Sequence, residues 1–292
     1  MAIMPIPIVL DTDIGDNIDD ALALLFALKC KEFDLRAVTV VYGDVESRAK
    51  LASKIISATG LKIPVAIGSP KSLLGFSPSW KPLQAEVLED DSGEYLNLVG
   101  LPAWALIAEN ALKTNGVKVV STGPLTNIAL TLLSMPDVKD KLELISMAGF
   151  FNGSGAEYNV RCDPEALNLI LRSGVKPLLV GLDVTLKCVM PLSMIERLRS
   201  SEKPEHRLVY SMFEIWRRNT GCRQPILHDP LALAVLVDNK IVSVENIRVD
   251  VELKGEYTRG FTLITGSTPN ASVCLDVNVE KFLKLFEEVV FS

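Results

Sequence analysis

The sequence predicts a single-domain α/β protein, with a mostly parallel central sheet flanked by helices and a small antiparallel extension near the C-terminal end. Three observations predict it. Short runs rich in Val, Ile and Leu alternate with longer helical patterns from the first residues onward. Those runs are apolar throughout rather than at every second position, as expected of strands covered on both faces. At 292 residues and 48% hydrophobic, the chain can bury such a sheet and is too apolar for general disorder.

Taken in order, Ile6 to Leu10 reads as the first strand and Ile18 to Lys31 as the helix after it. Leu35 to Val41 and Ser47 to Thr59 repeat that unit. Ile63 to Ile67, Val117 to Ser121, Leu142 to Ser146 and Pro177 to Gly181 have strand length and aliphatic content. Helical spacing covers 102–114, 124–134, 163–173, 193–200, 204–219, 229–238 and 279–290. Val242 to Leu253, Phe261 to Thr265 and Ser272 to Val277 are close enough in sequence to pair antiparallel. The irregular stretch 68–101, with its acids Glu89, Asp90 and Asp91, reads either as a lid or as a surface excursion. No repeat or linker divides the chain, so one domain over 1–292 is expected.

Composition excludes several classes of partner. Lys plus Arg number 30 against 36 Asp plus Glu, a net charge of −6, which disfavours nucleic acid and anionic membrane. The longest apolar run, Ala21 to Leu28, falls far short of the roughly 20 residues that span a bilayer. The apolar start holds no Lys or Arg before it meets Asp11, unlike a secretory signal. Five scattered cysteines (Cys30, Cys162, Cys188, Cys222, Cys274), no CxxC and two histidines argue against a zinc site. A soluble cytoplasmic protein with reduced thiols is expected.

In parallel sheets, ligands bind beyond the carboxyl ends of the strands. The first predicted strand is followed by Asp11, Asp13, Asp16, Asp19 and Asp20. Later exits carry Asp44, then Ser121, Thr122 and Thr126, then Asn152, Glu157 and Asn159, then Asp183. One or two such residues are ordinary helix caps. Five carboxylates in ten residues repel one another unless something compensates, and oxygen donors of this kind suit a hard cation. A divalent ion held by Asp13, Asp20 and a further carboxylate is the reading that follows. His228-Asp229-Pro230 opens a later helix and pairs a possible proton donor with another acid. The second histidine, His206, lies in a charged helical stretch and is expected at the solvent face.

These residues resemble a known family. Asp11-Thr12-Asp13-Ile14-Gly15-Asp16-Asn17-Ile18-Asp19-Asp20-Ala21 is similar to the DxDxGxDDAxA signature of nucleoside hydrolases, lengthened by two residues. Gly123-Pro124-Leu125-Thr126-Asn127-Ile128-Ala129 resembles the family's GPLTNxA segment. Ala156-Glu157-Tyr158-Asn159 with Asp163-Pro164-Glu165-Ala166, then Val180-Gly181-Leu182-Asp183-Val184-Thr185 and His228-Asp229-Pro230-Leu231-Ala232, complete five blocks in family order.

The resemblance implies a Rossmann-like nucleoside hydrolase fold that cleaves ribonucleosides to base and ribose, in purine or pyrimidine salvage. It implies Ca²⁺ held by Asp13, Asp20, Asp229 and the Thr126 carbonyl, with Asp13 also deprotonating the attacking water. Asp19 and Asn159 would hold ribose hydroxyls, with Glu157 and Asn152 towards the 3′ and 5′ side, and His228 would protonate the departing base. Trp216 falls where some relatives close an aromatic over the base; an apolar anchor on an amphipathic helix is the alternative. A homo-oligomer, dimer or tetramer, is also implied. Asp44 stands where many relatives have Asn and is assigned to the substrate, and Ser92-Gly93 stands where His-Gly is usual.

Two rivals carry other chemistry. A haloacid dehalogenase-type phosphatase also opens on a strand ending in DxD, but its second acidic pair comes late, whereas Asp19-Asp20 follow at once. A nucleoside-binding protein without turnover would share the fold, yet every implied ligand and the implied acid are present here.

Overall fold

A computed structural model describes residues 4–89, 97–114 and 116–292. The predicted acids Asp90 and Asp91 and the Ser92-Gly93 pair lie outside the described residues. The strands are β1 (Ile6–Thr12), β2 (Phe33–Val40), β3 (Val65–Ile67), β4 (Leu98–Val99), β5 (Val117–Ser121), β6 (Leu142–Ser146), β7 (Leu178–Leu179), β8 (Val242–Ile247), β9 (Val249–Val251), β10 (Thr262–Ile264) and β11 (Ala271–Val277). The helices are α1 (Asp19–Lys29), α2 (Val45–Ala58), α3 (Ala103–Lys113), α4 (Thr126–Ser134), α5 (Tyr158–Cys162), α6 (Pro164–Ser173), α7 (Leu182–Thr185), α8 (Leu192–Ser200), α9 (Pro204–Thr220), α10 (His228–Val237) and α11 (Val279–Val290).

Nine strands form one sheet in the order β4-β3-β2-β1-β5-β6-β7-β11-β8. Every pairing in it is parallel except β8 against β11. The chain winds outward from β1 to β4, then returns to lay β5 on the other side of β1. The order therefore reverses between β1 and β5, and it is at such a reversal that a crevice opens beyond the strand ends. Asp13 and Thr122 follow those two strands.

Alternation along β1 sends Ile8 and Leu10 into the apolar layer beneath α1, α2 and α8 to α11. Val9 enters the opposite layer, beneath α3, α4 and α6. Both faces are thus dry, which is why the strand reads as a continuous apolar run. The last helix closes the first layer: Phe282, Phe286 and Val290 recur every four residues and are fully buried, with Phe286 stacked on Phe26 at 6.0 Å. Truncating Phe286 to Ala should destabilise the fold by about 3–5 kcal/mol.

Three expectations change. Val242 to Leu253 is two strands, since β8 pairs with β11 at the edge of the main sheet while β9 pairs with β10 in a separate antiparallel ribbon. The segment after β6 contains the short helix α5, which the periodicity did not resolve. His206 is not at the solvent face: it is 1% exposed, with Nδ1 2.8 Å from Ser201 Oγ and Nε2 3.0 Å from the Val290 carbonyl. The C-terminal helix covers a surface that α9 alone would have left wet. Among the described residues no helix is long and apolar enough to cross a membrane.

Candidate active site

The turn after β1 carries the acids into the crevice. Gly15 has φ +129°, a conformation that a side chain would strain, and its carbonyl accepts from Gln84 N at 2.8 Å. Gly123 permits the close approach of β5's exit: a Cβ there would stand 2.8 Å from Val41 Cγ1 and 3.0 Å from Asp13 Oδ1. Asp19 and Asp20 occupy the first turn of α1, and Asp229 the first turn of α10, which packs against α1. Two helix N-termini are therefore directed at one set of carboxylates, a favourable field for negative charge.

Asp19, Asp20 and Asp229 each bring an oxygen within 4.8 Å of the others. Thr12 Oγ1 and Thr122 Oγ1 donate to Asp20 Oδ1 at 2.5 and 3.1 Å. Asp19 Oδ1 is buried and has no hydrogen-bond partner among the described residues. Burial pushes Asp19 and Asp20 up to about 7, with neighbouring acids adding to the rise. Asp13 and Asp229 are also raised well above the carboxylate range, by burial first and by the surrounding acids second. Four crowded carboxylates, one oxygen among them without a partner, form a donor set suited to a hard cation.

Asp11 takes a different place. It is fully buried behind the crevice, where its carboxylate accepts from Asn127 Nδ2 at 2.7 Å and Thr39 Oγ1 at 2.6 Å, joining β1 to β2 and α4.

The crevice widens into a cavity of about 590 Å³, enough for a nucleoside-sized ligand. Glu157 and Asn159 line one side. Glu157 caps α5, accepting from Asn159 N at 2.7 Å, Val160 N at 3.0 Å and Gly149 N at 3.3 Å, and burial raises it to about 7. Asn159 Nδ2 donates to the Thr122 and Met147 carbonyls at 2.8 and 3.0 Å, which fixes its amide. His228 lines another wall with Nδ1 2.7 Å from Thr185 Oγ1, and burial lowers it to about 4. Trp216 has the packing of the apolar anchor while reaching the cavity. It lines the cavity, yet is only 6% exposed and packs on Phe213 at 5.7 Å.

Three residues expected in the site are not among those that line the cavity. Thr126 is not among the residues lining the cavity, and its hydroxyl donates to Asp163 Oδ2 at 2.6 Å, which leaves its carbonyl as the part a cation would use; Thr122 does line the wall. Asp44 caps α2, accepting from Ser47 N at 3.0 Å and Ser47 Oγ at 2.7 Å. Burial opposes its charge, but those bonds outweigh burial and hold its carboxyl below the usual range. Asp44 lines a neighbouring shallow groove rather than the cavity. Asn152 is exposed, and its backbone N–H donates to Asp183 Oδ1 at 2.7 Å. Both Asp183 oxygens are taken by this loop, because Phe151 N donates to Oδ2 at 2.8 Å.

Other wall residues were given no particular role by the sequence. Asp16, Trp80, Lys81 and Tyr158 all face the cavity. Trp80 and Lys81 come from the irregular stretch, where no periodicity marks a residue as inward. Thr122 was legible, being the first residue beyond β5.

Fold and site together define an α/β enzyme with an acid-lined crevice at the reversal point of its sheet. The chain belongs to the inosine-uridine preferring nucleoside hydrolase family, whose profile matches residues 8–284. Its chemistry is the hydrolysis of an N-glycosidic bond. A pyrimidine-specific ribonucleoside hydrolase of Salmonella gallinarum is 33% identical over 98% of this chain and 98% of its own. A solved plant nucleoside hydrolase superimposes with a TM-score of 0.88 at 25% identity, over 98% of this chain and 99% of that one. A purine-preferring ribonucleoside hydrolase from Gardnerella vaginalis gives 0.85 at 28% identity, over 97% and 98%.

Proposed function

We propose that the protein hydrolyses ribonucleosides to free base and ribose, with Ca²⁺ held among Asp13, Asp20 and Asp229. The observation that carries this reading is that Asp19, Asp20 and Asp229 bring oxygens within 4.8 Å of one another, in one cavity with Asp13 and His228. An all-oxygen donor set with adjacent hydroxyls and carbonyls fits calcium better than a softer metal. Thr122, whose hydroxyl touches Asp20, is a further donor beside the Thr126 carbonyl. When bound, the cation lowers the pKa of a water so that a nucleophile is available at neutral pH.

The protein's own residues supply the rest. Asp13 accepts the proton of the attacking water. Asp19, Asn159 and Glu157 hold the ribose, and the negative charge of the two acids stabilises the oxocarbenium-like sugar as the bond lengthens. Trp80 and Trp216 offer apolar surface to the base. His228 gives the departing base a hydrogen bond or proton. Asp44 and Asn152 reach the substrate only if their loops move inward.

The relatives differ in specificity, pyrimidine for one and purine for another, so base preference is assigned to local wall residues. The test is release of reducing sugar from a panel of ribonucleosides and their 2′-deoxy counterparts, with and without chelator. Cleavage of ribonucleosides that chelator abolishes and calcium restores is expected. Undiminished turnover in chelator, or equal rates on deoxynucleosides, would refute the mechanism, since a site built around a hydroxyl leaves polar groups unpaired without it. Assembly as a dimer or tetramer and a cytoplasmic location complete the proposal.

A further inference from the structure

Arg48 is the only Lys or Arg buried among the described residues, at 1% exposure. Burying a guanidinium costs several kcal/mol unless its donors are matched. They are matched here by the two turns that frame the crevice. Nε donates to the Tyr42 carbonyl at 2.7 Å. Nη1 donates to the carbonyls of Asp13 and Ile14, the latter at 2.9 Å, and Nη2 to Asp16 Oδ2 at 2.8 Å. The Tyr42 turn is itself strained, with φ +66° at a residue that is not glycine. The Asp13 turn is held on its far side by Gln84, whose Nε2 donates to the Asn17 carbonyl at 2.8 Å.

We infer that Arg48 is a positioning residue for the hydrolysis: by gripping the Asp13 and Ile14 carbonyls and the Asp16 carboxylate, it fixes the turn from which Asp13 enters the cavity, and so sets cation binding and turnover without touching substrate. The inference rests on the functional reading given above. It also gives a role to the two-residue extension of the acidic signature, because Asp16, one of the extended turn's acids, is the only carboxylate among the described residues that Arg48 bonds directly. A planar fork with several donors can hold three acceptors on one turn at once; an ammonium cannot.

Charge and geometry predict opposite signs. If Arg48 acted only as a positive charge near the cluster, its removal would tighten calcium binding, and Lys would restore the original behaviour. If it positions the turn, both Arg48→Lys and Arg48→Met weaken calcium binding. The expected result, by calorimetric titration of the chelator-treated protein, is a dissociation constant raised about 10-fold or more in each variant. With calcium saturating, kcat on uridine or inosine should fall about 10²-fold with KM changed far less. Amide exchange over residues 13–18, without substrate or metal, should quicken in Arg48→Lys.

Unchanged or tighter calcium binding, recovery of kcat by Lys, or unaltered exchange would each overturn the inference. Should both Arg48 variants fail to fold, Asp16→Ala releases one arm of the grip at a side chain that is 27% exposed. It should quicken the same exchange and weaken calcium binding, and no change in either would also overturn the inference. Absence of sugar release by the unaltered enzyme would defeat the functional reading instead, leaving exchange in Arg48→Lys and Asp16→Ala to decide the role of Arg48.

Discussion

The carboxyl groups of Asp19 and Asp229 face each other across the seam between α1 and α10, each with an oxygen within 4.8 Å of the other. Two buried carboxyl groups this close resist ionising together. Burial and neighbouring charge favour the protonated form, Asp19 rising to about 7 and Asp229 well beyond the carboxylate range.

A cation entering this cluster must displace the proton. Calcium added to chelator-treated protein at pH 7 should release protons, seen as a dependence of the binding heat on the buffer's ionisation heat. Binding should also raise Tm, by about 2.7 kcal/mol of added stability at a hundred times the dissociation constant. Asp13→Ala should abolish turnover while the fold survives, and Asp20→Ala should weaken calcium binding as well as activity. Heat that is independent of the buffer would place the cation elsewhere.

Glu157 makes stability pH-dependent with a definite sign. Its ordinary value is 4.5 and burial raises it to about 7 in the fold. Between those values the folded protein holds a proton that the unfolded chain has lost. The stability this confers is complete below pH 4.5 and is lost as pH rises through 7. In chelator, wild-type stability relative to Glu157→Gln should therefore fall from pH 4.5 towards pH 8, by about 3 kcal/mol at most. Urea midpoints of the two proteins across that range check the slope, and a difference that rises with pH would contradict it.

His228 is neutral at pH 7, since burial takes it down to about 4. Its contribution to leaving-group departure is then a hydrogen bond that strengthens into proton transfer as the base gains charge. A Thr185 hydroxyl that donates to Nδ1 leaves the ring proton on Nε2, available to the base. His228→Ala should lower kcat on natural nucleosides by about 10²–10⁴-fold. The loss should be far smaller on a p-nitrophenyl riboside, whose leaving group is stable as an anion. Thr185→Val should act in the same direction, more weakly. Equal losses on both substrate types would make His228 a structural residue.

Thr122 and Thr126 separate site from scaffold. Thr122→Val removes a donor to Asp20 and should weaken calcium binding. Thr126→Val removes a donor to buried Asp163, which keeps the Leu73 and Ala166 N–H groups. Its expected effect is a stability loss of about 1–3 kcal/mol with calcium affinity intact. Thermal melts and calcium titrations of the two variants distinguish them.

The parts of this molecule legible in the sequence are those governed by local pattern. Val117 to Ser121 and Leu142 to Ser146 fall on β5 and β6 residue for residue, because buried parallel strands are bounded by abrupt changes in polarity. The acids of α1 and α10 were visible for the same reason, as polar residues where apolar elements start. What the pattern missed depends on contacts made far along the chain. Thr126 and Thr122 are both polar residues after β5, and only the position of Asp163 decides which one turns away from the crevice. His206 lies in a polar stretch, and only the docking of the final helix removes it from water. Trp80 and Lys81 lie in a segment with no period to read, placed by the packing of Pro82 on Gly15 and the Gln84 bonds to that turn.

The seam between α1 and α10 joins acids more than two hundred positions apart in the chain. On a nascent polypeptide, Asp19 and Asp20 emerge early and remain hydrated at an open helix start, where like charges repel weakly through water. They acquire their third companion only when α10 has been made and has docked, and contacts of such long sequence range form late. Assembly of the reaction centre is thus coupled to near-completion of synthesis. A product truncated before α10 carries the acidic signature intact yet has no closed carboxylate cluster, so premature termination or proteolytic loss of the C-terminal quarter yields an inert fragment, not a poorly discriminating hydrolase.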